Sequence, residues 1–319
     1  MGYNGDSLPY CSKMPDLACL EQLHTLRDFI RWGASRFNAA RLHFGHGTEN
    51  ALDDAVALVL NALHLPYDLP DFYLESRLTL EEKQQVVERF QQRIETRKPA
   101  AYLTHEAMFC GLPFYVDERV LVPRSPIAEL IRQGFSPWSD TLQIDRILDL
   151  CTGSGCIAIA CAYAFPGAEV DAVDISTEAL EVAAINIRRH GLENRVHAIH
   201  ADLFESLGEQ RYELIVSNPP YVSQREWERL PPEYHKEPSL GLTSGQEGLD
   251  CAIAILQQAG RHLTEHGILV VEVGGSAEAL SSRFPQIPFR WLEFSEGGEG
   301  VFLFTAEELL QYQADFATA

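Results

Sequence analysis

The segment 217–221, Ser-Asn-Pro-Pro-Tyr, carries the residue types best suited to chemistry in this chain, and it directly follows the apolar run 214–216. Prolines cannot donate ladder hydrogen bonds, so a buried strand must end here. The side-chain oxygen of Asn218 can accept one hydrogen of a planar NH2 group, and the rigidly held carbonyl of Pro219 can accept the other. The ring of Tyr221 can lie against the flat face of the same group. The segment is therefore suited to binding a planar amide or amino group.

Such binding could also make the bound nitrogen reactive. An amide nitrogen is a poor nucleophile because its lone pair is conjugated, with a rotational barrier of about 18–20 kcal/mol. Holding both hydrogens out of plane returns electron density to the nitrogen, and the remaining requirement is proximity and in-line orientation. No strong general base is evident, so the proton can leave after group transfer. The alternative is a strand-ending turn in which Pro219 and Pro220 have no chemical role.

A glycine-containing turn, Asp-Leu-Cys-Thr-Gly-Ser-Gly at 149–155, joins a predicted strand to a predicted helix. Glycines and a small serine let the backbone approach a ligand closely. The turn is neither the G-x-G-x-x-G dinucleotide pattern nor a phosphate-binding loop, because no Lys-Ser or Lys-Thr follows it. A turn of this kind is weak evidence by itself. The candidate cofactor site takes from it Asp149, Thr152, Gly153, Ser154 and Gly155.

Acidic residues follow the next two predicted strands. Asp174 ends the second strand, where a carboxylate suits the two hydroxyls of a ribose. Asp202 follows the third, near the expected place of an adenine amino group. Each acid alone is more often a cap or turn residue, but their joint pattern favours a nucleoside site. The turn has no basic residue to meet a phosphate, so S-adenosylmethionine fits, and its sulfonium charge makes nearby acids useful. Asn218 would then face its methyl group and belong to the cofactor site as well.

The elements that must position these residues alternate between strand and helix from residue 147 onward. This alternation predicts an α/β fold with a doubly wound, mainly parallel sheet that binds ligands beyond the carboxyl ends of its strands, at the switch point. The fourth strand is expected beside the first. The predicted strands are 147–150, 169–173, 196–200, 213–216 and 267–273, the helices are 156–163, 178–190 and 249–259, and a C-terminal antiparallel hairpin joins 291–294 to 301–304.

The first hundred residues instead predict a small helical domain. Amphipathic spacing predicts helices at 20–42 and 51–63, and the Thr79-x-x-Glu82 capping box opens a third that runs to Pro99. Aromatic and β-branched runs in 101–124 predict a β-hairpin, followed by a helix at 126–134. The expected organisation is a helical domain, a β-hairpin with linker, and an α/β domain, with bounds 1–104, 105–140 and 141–319.

Composition limits the classes of function that remain. The 319 residues carry a net charge of −21, which argues against a general nucleic-acid binder. No apolar run is long enough to span a membrane, and the N-terminus lacks the pattern of a secretory signal. The seven cysteines are odd in number and none has zinc or redox spacing, so we expect a reduced, cytoplasmic protein without a metal site.

The motifs together resemble the class I S-adenosylmethionine methyltransferases of the HemK type, which modify glutamine side-chain amides in translation proteins. The resemblance covers nearly everything from Leu20 to the C-terminus. HemK-type enzymes of the release-factor branch usually carry P-R-P-E-T-E where this chain has P-R-S-P-I-A-E. The segments that look like the ribosomal-protein branch, whose enzyme methylates the third protein of the large subunit, are 43–50, 123–127, 151–166, 230–238 and 291–302.

The resemblance implies a role for each matching residue. It implies that Gly153, Ser154 and Gly155 bind the cofactor, with Asp174 on the ribose and Asp202 near the adenine. Asn218 and Pro219 would hold the substrate amide, with Pro220 and Tyr221 beside it. Arg124 would help shape the substrate site, and Glu237 would help close the loop 222–248. The acidic charge would attract a basic ribosomal protein and be repelled by rRNA phosphates.

Three alternatives remain open at the level of sequence. The same chemistry could act on a peptide chain release factor. N-P-P-Y also occurs in enzymes that methylate the exocyclic amino groups of adenine or cytosine in DNA or RNA, although such enzymes need a basic cleft to hold a flipped base. A non-catalytic cofactor-binding scaffold would keep the glycine turn but would not need Asn218.

Overall fold

A computed structural model describes residues 21–317. The predicted absence of a secretory signal concerns residues that lie outside this range. The chain divides into two compact units, with the boundary between Thr104 and His105. Within the described range, no helix is long and apolar enough to cross a membrane.

The first unit is helical, as predicted, and its helices begin at side-chain caps. Thr25 and Asp28 form a capping box that starts the first long helix at Leu26, later than the sequence predicted. Thr79 and Glu82 form the predicted capping box of the third. Apolar faces of these helices bury a common core. The helices are α1 (Leu26–Ala39), α2 (Ala51–Ala62), α3 (Leu80–Thr96) and α4 (Ala100–Thr104), with a 3-10 helix at Asp71–Glu75.

The predicted β-hairpin of 101–124 is shorter than expected. Its strands are β1 (Ala107–Phe109) and β2 (Leu112–Phe114), and its turn places Cys110 and Gly111 at positive φ of 50° and 76°. The residues before it form α4, and residues 115–124 have no partner strand, so their apolar side chains are buried without a sheet. A short helix, α5 (Ile127–Arg132), follows as predicted.

The second unit is built on a seven-stranded, mainly parallel sheet, which confirms the predicted fold class. The strand order is β5-β4-β3-β6-β7-β9-β8, and only β9 runs against the others, antiparallel to both β7 and β8. The fourth strand of the series, β6, pairs with β3 as predicted. The strands are β3 (Arg146–Leu150), β4 (Glu169–Asp174), β5 (Val196–His200), β6 (Tyr212–Ser217), β7 (Leu263–Glu272), β8 (Arg290–Trp291) and β9 (Val301–Thr305).

Helices cover both faces of this sheet. Successive residues of one strand enter different core clusters: Ile147 packs in one and Leu148 in the other. The helices are α6 (Cys156–Ala164), α7 (Thr177–Arg189), α8 (Gln224–Trp227), α9 (Ser239–Leu242), α10 (Asp250–His262), α11 (Ala277–Arg283), α12 (Ala306–Gln311) and α13 (Gln313–Phe316).

Candidate active site

The carboxyl ends of β3, β4 and β6 meet at one edge of the sheet because β3 lies between the other two. Leu150 pairs with Ser217, and the Ser217 hydroxyl donates to the Leu150 carbonyl at 2.8 Å. This bond fixes the start of the Ser-Asn-Pro-Pro-Tyr segment against the glycine turn. The two motifs that the sequence singled out are therefore neighbours, at the predicted switch point.

A cavity of about 430 Å³ opens at this edge, a size typical of small-molecule sites. It brings together ten of the thirteen residues that the sequence proposed. On the side of the glycine turn these are Thr152, Gly153, Ser154, Asp174 and Asp202. On the side of β6 they are Arg124, Asn218, Pro219, Pro220 and Tyr221. The other three candidates, Asp149, Gly155 and Glu237, are not among the lining residues.

Asp174 stands between the glycine turn and the next helix. Its Oδ2 accepts from the Gly153 N–H at 2.8 Å, and its Oδ1 accepts from the Ser176 N–H at 2.9 Å. Burial raises the pKa of this carboxyl above its usual range, although the backbone N–H groups oppose the shift. Each carboxylate oxygen has a further lone pair. Asp174 can therefore hold the turn and still accept hydrogen bonds from a ligand.

Asp149 lies beneath the turn rather than in the cavity, because its side chain is fully buried at the end of β3. Its Oδ2 accepts from the Thr152 hydroxyl at 2.6 Å and from the Ala158 N–H at 3.0 Å. Its Oδ1 has no hydrogen-bond partner within residues 21–317. Burial raises the pKa of Asp149 to about 7. Asp149 thus stabilises the turn from below and is not among the residues that line the cavity.

Gly155 also supports the turn rather than lining the cavity. It caps α6 with a φ of 79°, a region that favours glycine. A Cβ atom added here would lie 3.3 Å from the Cβ atom of Ala183 on α7. The close approach of α6 and α7 therefore explains this glycine, whereas Gly153 has open space around it and does line the cavity.

Asn186 holds a second wall of the cavity, the segment 115–125, by hydrogen bonds. No sequence pattern indicated this residue. The Asn186 side chain is fully buried on α7. Its oxygen accepts from the Tyr115 N–H at 2.7 Å, and its nitrogen donates to the carbonyls of Tyr115 and Ser154 at 3.0 and 2.9 Å. One amide thus joins the start of segment 115–125 to the glycine turn. Residues 119–125 of this segment line the cavity.

Glu237 acts on the cavity through Arg124. The two side chains make paired hydrogen bonds of 2.8 and 2.6 Å, and the Val122 N–H donates to Glu237 at 3.0 Å. Burial opposes the charge on Arg124, but the carboxylate of Glu237 raises the pKa of the guanidinium overall. The loop that carries Glu237 returns to its starting point, where the Val222 N–H donates to the Leu242 carbonyl at 2.8 Å.

Tyr221 is held by Glu272, a residue that sequence analysis missed. The Tyr221 hydroxyl donates to Oε1 of Glu272 at 3.1 Å. Burial raises the pKa of Glu272 to about 7 and also raises that of Tyr221. An acid that closes the apolar run 268–271 was the available signal. The carboxamide of Asn218, by contrast, makes no hydrogen bond with the rest of residues 21–317.

The arrangement can bind a nucleoside on one side and a planar amide on the other. The acids lie on the side of the glycine turn, and Asn218, the prolines and Tyr221 lie on the side of β6. In the part of the chain that the structure describes, no three His, Cys, Asp or Glu side chains are grouped to hold a metal ion.

Comparison with known proteins places these features in a family. Residues 138–230 match the family described as "Methyltransferase small domain". A protein of Francisella tularensis subsp. tularensis named "Ribosomal protein uL3 glutamine methyltransferase" is 49% identical over 298 residues, covering 93% of this chain and 95% of that protein. A protein of the same name from Xanthomonas campestris pv. campestris is 50% identical over 297 residues, covering 93% and 96%.

Solved structures show more distant likeness. A crystal structure of a methyltransferase from Pyrococcus furiosus is 18% identical, with a TM-score of 0.44, and the match covers 61% of this chain and 89% of that one.

Proposed function

The chain belongs to the ribosomal protein uL3 glutamine methyltransferases, and we propose that it transfers a methyl group from S-adenosylmethionine to the side-chain amide nitrogen of a glutamine in that large-subunit protein. One observation supports the proposal above all others. The Ser-Asn-Pro-Pro-Tyr segment at the end of β6 and the glycine turn at the end of β3 line one cavity. A methyl donor and an acceptor amide can meet only where both sites share a space.

The residues on the side of the glycine turn fit the cofactor. Asp174 offers carboxylate lone pairs to the ribose hydroxyls, and Asp202 lies where the adenine amino group is expected. Ile175 and Leu203 supply apolar surface for the adenine ring. S-adenosylmethionine bound there supplies an electrophilic methyl carbon on a positive sulfonium. The acids of this half of the cavity favour that charge.

The residues on the side of β6 fit the acceptor amide. The Asn218 carboxamide oxygen and the Pro219 carbonyl can each accept one N–H of the glutamine side chain. With both hydrogens held, the nitrogen lone pair is less conjugated and can be aimed at the methyl carbon. Tyr221 packs beside the flat amide. The availability of the Asn218 side chain supports this role, because nothing within the described residues competes for its hydrogen bonds.

The whole protein suits a basic acceptor. A net charge of −21 attracts a basic ribosomal protein and repels rRNA phosphates, so no direct nucleic-acid binding is expected. We assign substrate recognition to the helical unit that ends at Thr104 and methyl transfer to the sheet-containing unit. Because the proposed substrate is a ribosomal protein, we expect the reaction to take place in the cytoplasm.

The proposal is tested with labelled S-adenosylmethionine and three separate acceptors: free uL3, a release factor and duplex DNA. We expect label on a glutamine of uL3 alone, and no label when Asn218→Ala replaces the wild type. Label on the release factor would leave the chemistry standing and overturn the assigned substrate. Label on DNA would overturn the exclusion of nucleic acid, and cofactor binding without turnover on any acceptor would favour a non-catalytic scaffold.

A further inference from the structure

The end of β7 and the turn after it, residues 272–276, form a binding site for the side chain and backbone of Tyr221, called here the Tyr221 seat. The hydroxyl of Tyr221 donates to Glu272 at 3.1 Å, and the Ser276 hydroxyl donates to the Tyr221 carbonyl at 2.7 Å. A Cβ atom at Gly274 would lie 2.7 Å from the Tyr221 ring. Ring, hydroxyl and backbone of one residue are thus each held by the five-residue segment 272–276. A residue that only packs would not need hydrogen bonds to its hydroxyl and its carbonyl in addition to contacts with its ring.

Glu272 joins this seat to a second wall of the cavity. Its Oε2 accepts from the Ser125 hydroxyl at 2.5 Å, while its Oε1 accepts from Tyr221. Ser125 and Tyr221 line the cavity from the segment 119–125 and from the end of β6, respectively. Glu272 itself is only 4% exposed and is not among the lining residues. Its carboxylate therefore lies behind the cavity surface and connects the two walls.

When Glu272 is ionised, its carboxylate gives this connection a fixed direction. A carboxylate only accepts hydrogen bonds, so both hydroxyls must point their hydrogens at it. Such charge-assisted bonds are stronger than neutral ones. Burial raises the pKa of Glu272 to about 7, while the hydrogen bonds from Ser125 and Tyr221 and the charge of Arg124 act in the opposite direction, so the carboxylate form predominates above that pH. The orientation of the Tyr221 hydroxyl, and with it the ring, is thereby specified.

We infer that Glu272 is a positioning residue of methyl transfer, which acts through Tyr221 to hold that ring against the acceptor amide. The inference rests on the proposed function, because it assigns the acceptor amide to the β6 side of the cavity. Glu272 touches neither substrate nor cofactor in this assignment. Removing its hydrogen bond should slow turnover without weakening cofactor binding, and the effect should disappear once the Tyr221 hydroxyl is gone.

A double-mutant cycle tests this in the full-length protein with uL3 as acceptor. Glu272→Gln and Tyr221→Phe should each lower kcat roughly tenfold, and the double variant should fall no further. The affinity for S-adenosylhomocysteine should stay at the wild-type value. Glu265→Gln, on the exposed part of the same strand, is the matched control and should keep wild-type kcat. Single-variant losses that multiply to roughly a hundredfold, or an unchanged kcat in Glu272→Gln, would overturn the inference.

A second readout does not depend on the acceptor. This readout is an NMR spectrum of protein that carries 13C-labelled tyrosine. The signal that is missing from the spectrum of Tyr221→Phe is assigned to Tyr221. We expect it to move in Glu272→Gln and to stay in place in Glu265→Gln. If wild-type protein methylates no glutamine, the proposed function fails, and this resonance still decides whether Glu272 holds the ring. A resonance unmoved by Glu272→Gln shows that it does not.

Discussion

Arg124 and Glu237 form an ion pair through two hydrogen bonds. The Glu237 side chain is fully buried in it, and the Arg124 side chain is 29% exposed. The pair joins the segment 119–125 to the loop 222–248, two parts of the chain that are separated by more than a hundred residues. It fixes one wall of the cavity relative to the loop that closes it. The position of the Arg124 guanidinium at the cavity therefore depends on Glu237, which is not among the lining residues.

Glu237→Ala is expected to lower the free energy of unfolding by about 3 kcal/mol, because it leaves a largely buried guanidinium without its carboxylate. The measurement is thermal or denaturant unfolding of the full chain. Glu228→Ala, which removes an exposed charge from the same loop, should leave unfolding unchanged. Replacing both partners, as Arg124→Met with Glu237→Leu, should recover part of this stability, because the Val122 N–H still loses its acceptor, and should raise the KM for uL3 because Arg124 lines the cavity. A wild-type melting curve for Glu237→Ala would contradict the argument.

Gly153→Ala and Gly155→Ala should separate ligand binding from stability. Both glycines have positive φ, so each alanine costs about 1–2 kcal/mol in backbone strain. Gly155→Ala also places a methyl group 3.3 Å from Ala183, so its melting temperature should fall further. Gly153→Ala adds its methyl group at the cavity and should weaken S-adenosylhomocysteine binding more, as calorimetry would measure. The reverse order of the two effects would show that the turn is used differently.

Asp149 makes the stability of this protein depend on pH. Its pKa is about 7 when folded and about 3.9 when unfolded, so the folded protein binds the proton more tightly. The contribution of Asp149 to stability is therefore complete below about pH 4 and is lost as pH rises through 7. The free energy of unfolding of Asp149→Asn, relative to that of the wild type, should rise between pH 4 and 7. Above pH 7 this difference should stay constant.

Melting temperatures of the two proteins at several pH values between 4 and 9 measure this difference. Asp145→Asn changes the same charge at an exposed position just before β3 and serves as the control. A difference between Asp149→Asn and wild type that does not change with pH would show that the Asp149 carboxyl does not take up a proton on folding.

Salt should slow the reaction on the protein substrate. The Debye length falls from about 10 Å at 0.1 M to about 3 Å at 1 M ionic strength. Attraction between a protein of net charge −21 and a basic acceptor should therefore weaken, and kcat/KM for uL3 should fall as salt rises. The KM for S-adenosylmethionine, a small ligand, should change far less. Equal salt dependence for both substrates would remove the role assigned to the net charge.

Sequence patterns predicted the sheet because its strands carry local signals. Apolar runs such as 214–216 end in polar or proline-containing turns, and alternation with helices predicts a mainly parallel, doubly wound sheet with the fourth strand beside the first. The edge where Asp174 and Asn218 meet followed from that topology. The predicted extent of the hairpin was wrong for a related reason: residues 115–124 have strand-like composition, but Asn186 and Glu237, far away in sequence, bind their backbone instead.

The positioning groups could not be found in the same way. Asn186 and Glu272 are polar residues whose partners lie between 32 and 147 positions away, and Glu237 was indicated only by the family resemblance. The position of Glu272 after the apolar run 268–271 is a local signal, but the same pattern also fits an acid on a solvated surface at the end of a strand. Only the folded chain shows that such residues hold the cavity walls. Motifs that contain glycine or proline, by contrast, indicate the residues that line the cavity.

The return of the loop to Val222 makes acceptor choice separable from methyl transfer. Its two ends are joined by hydrogen bonds from the Val222 N–H to the Leu242 carbonyl and from the Ser244 N–H to the Val222 carbonyl. Apart from Glu237, which binds Arg124 and Val122, intervening residues that do not line the cavity can therefore change in length and chemistry while Asn218 and the glycine turn stay in register. A lineage could in this way alter the contacts that the loop adds to those of the helical unit, and an engineer could do the same by grafting a loop that keeps Glu237.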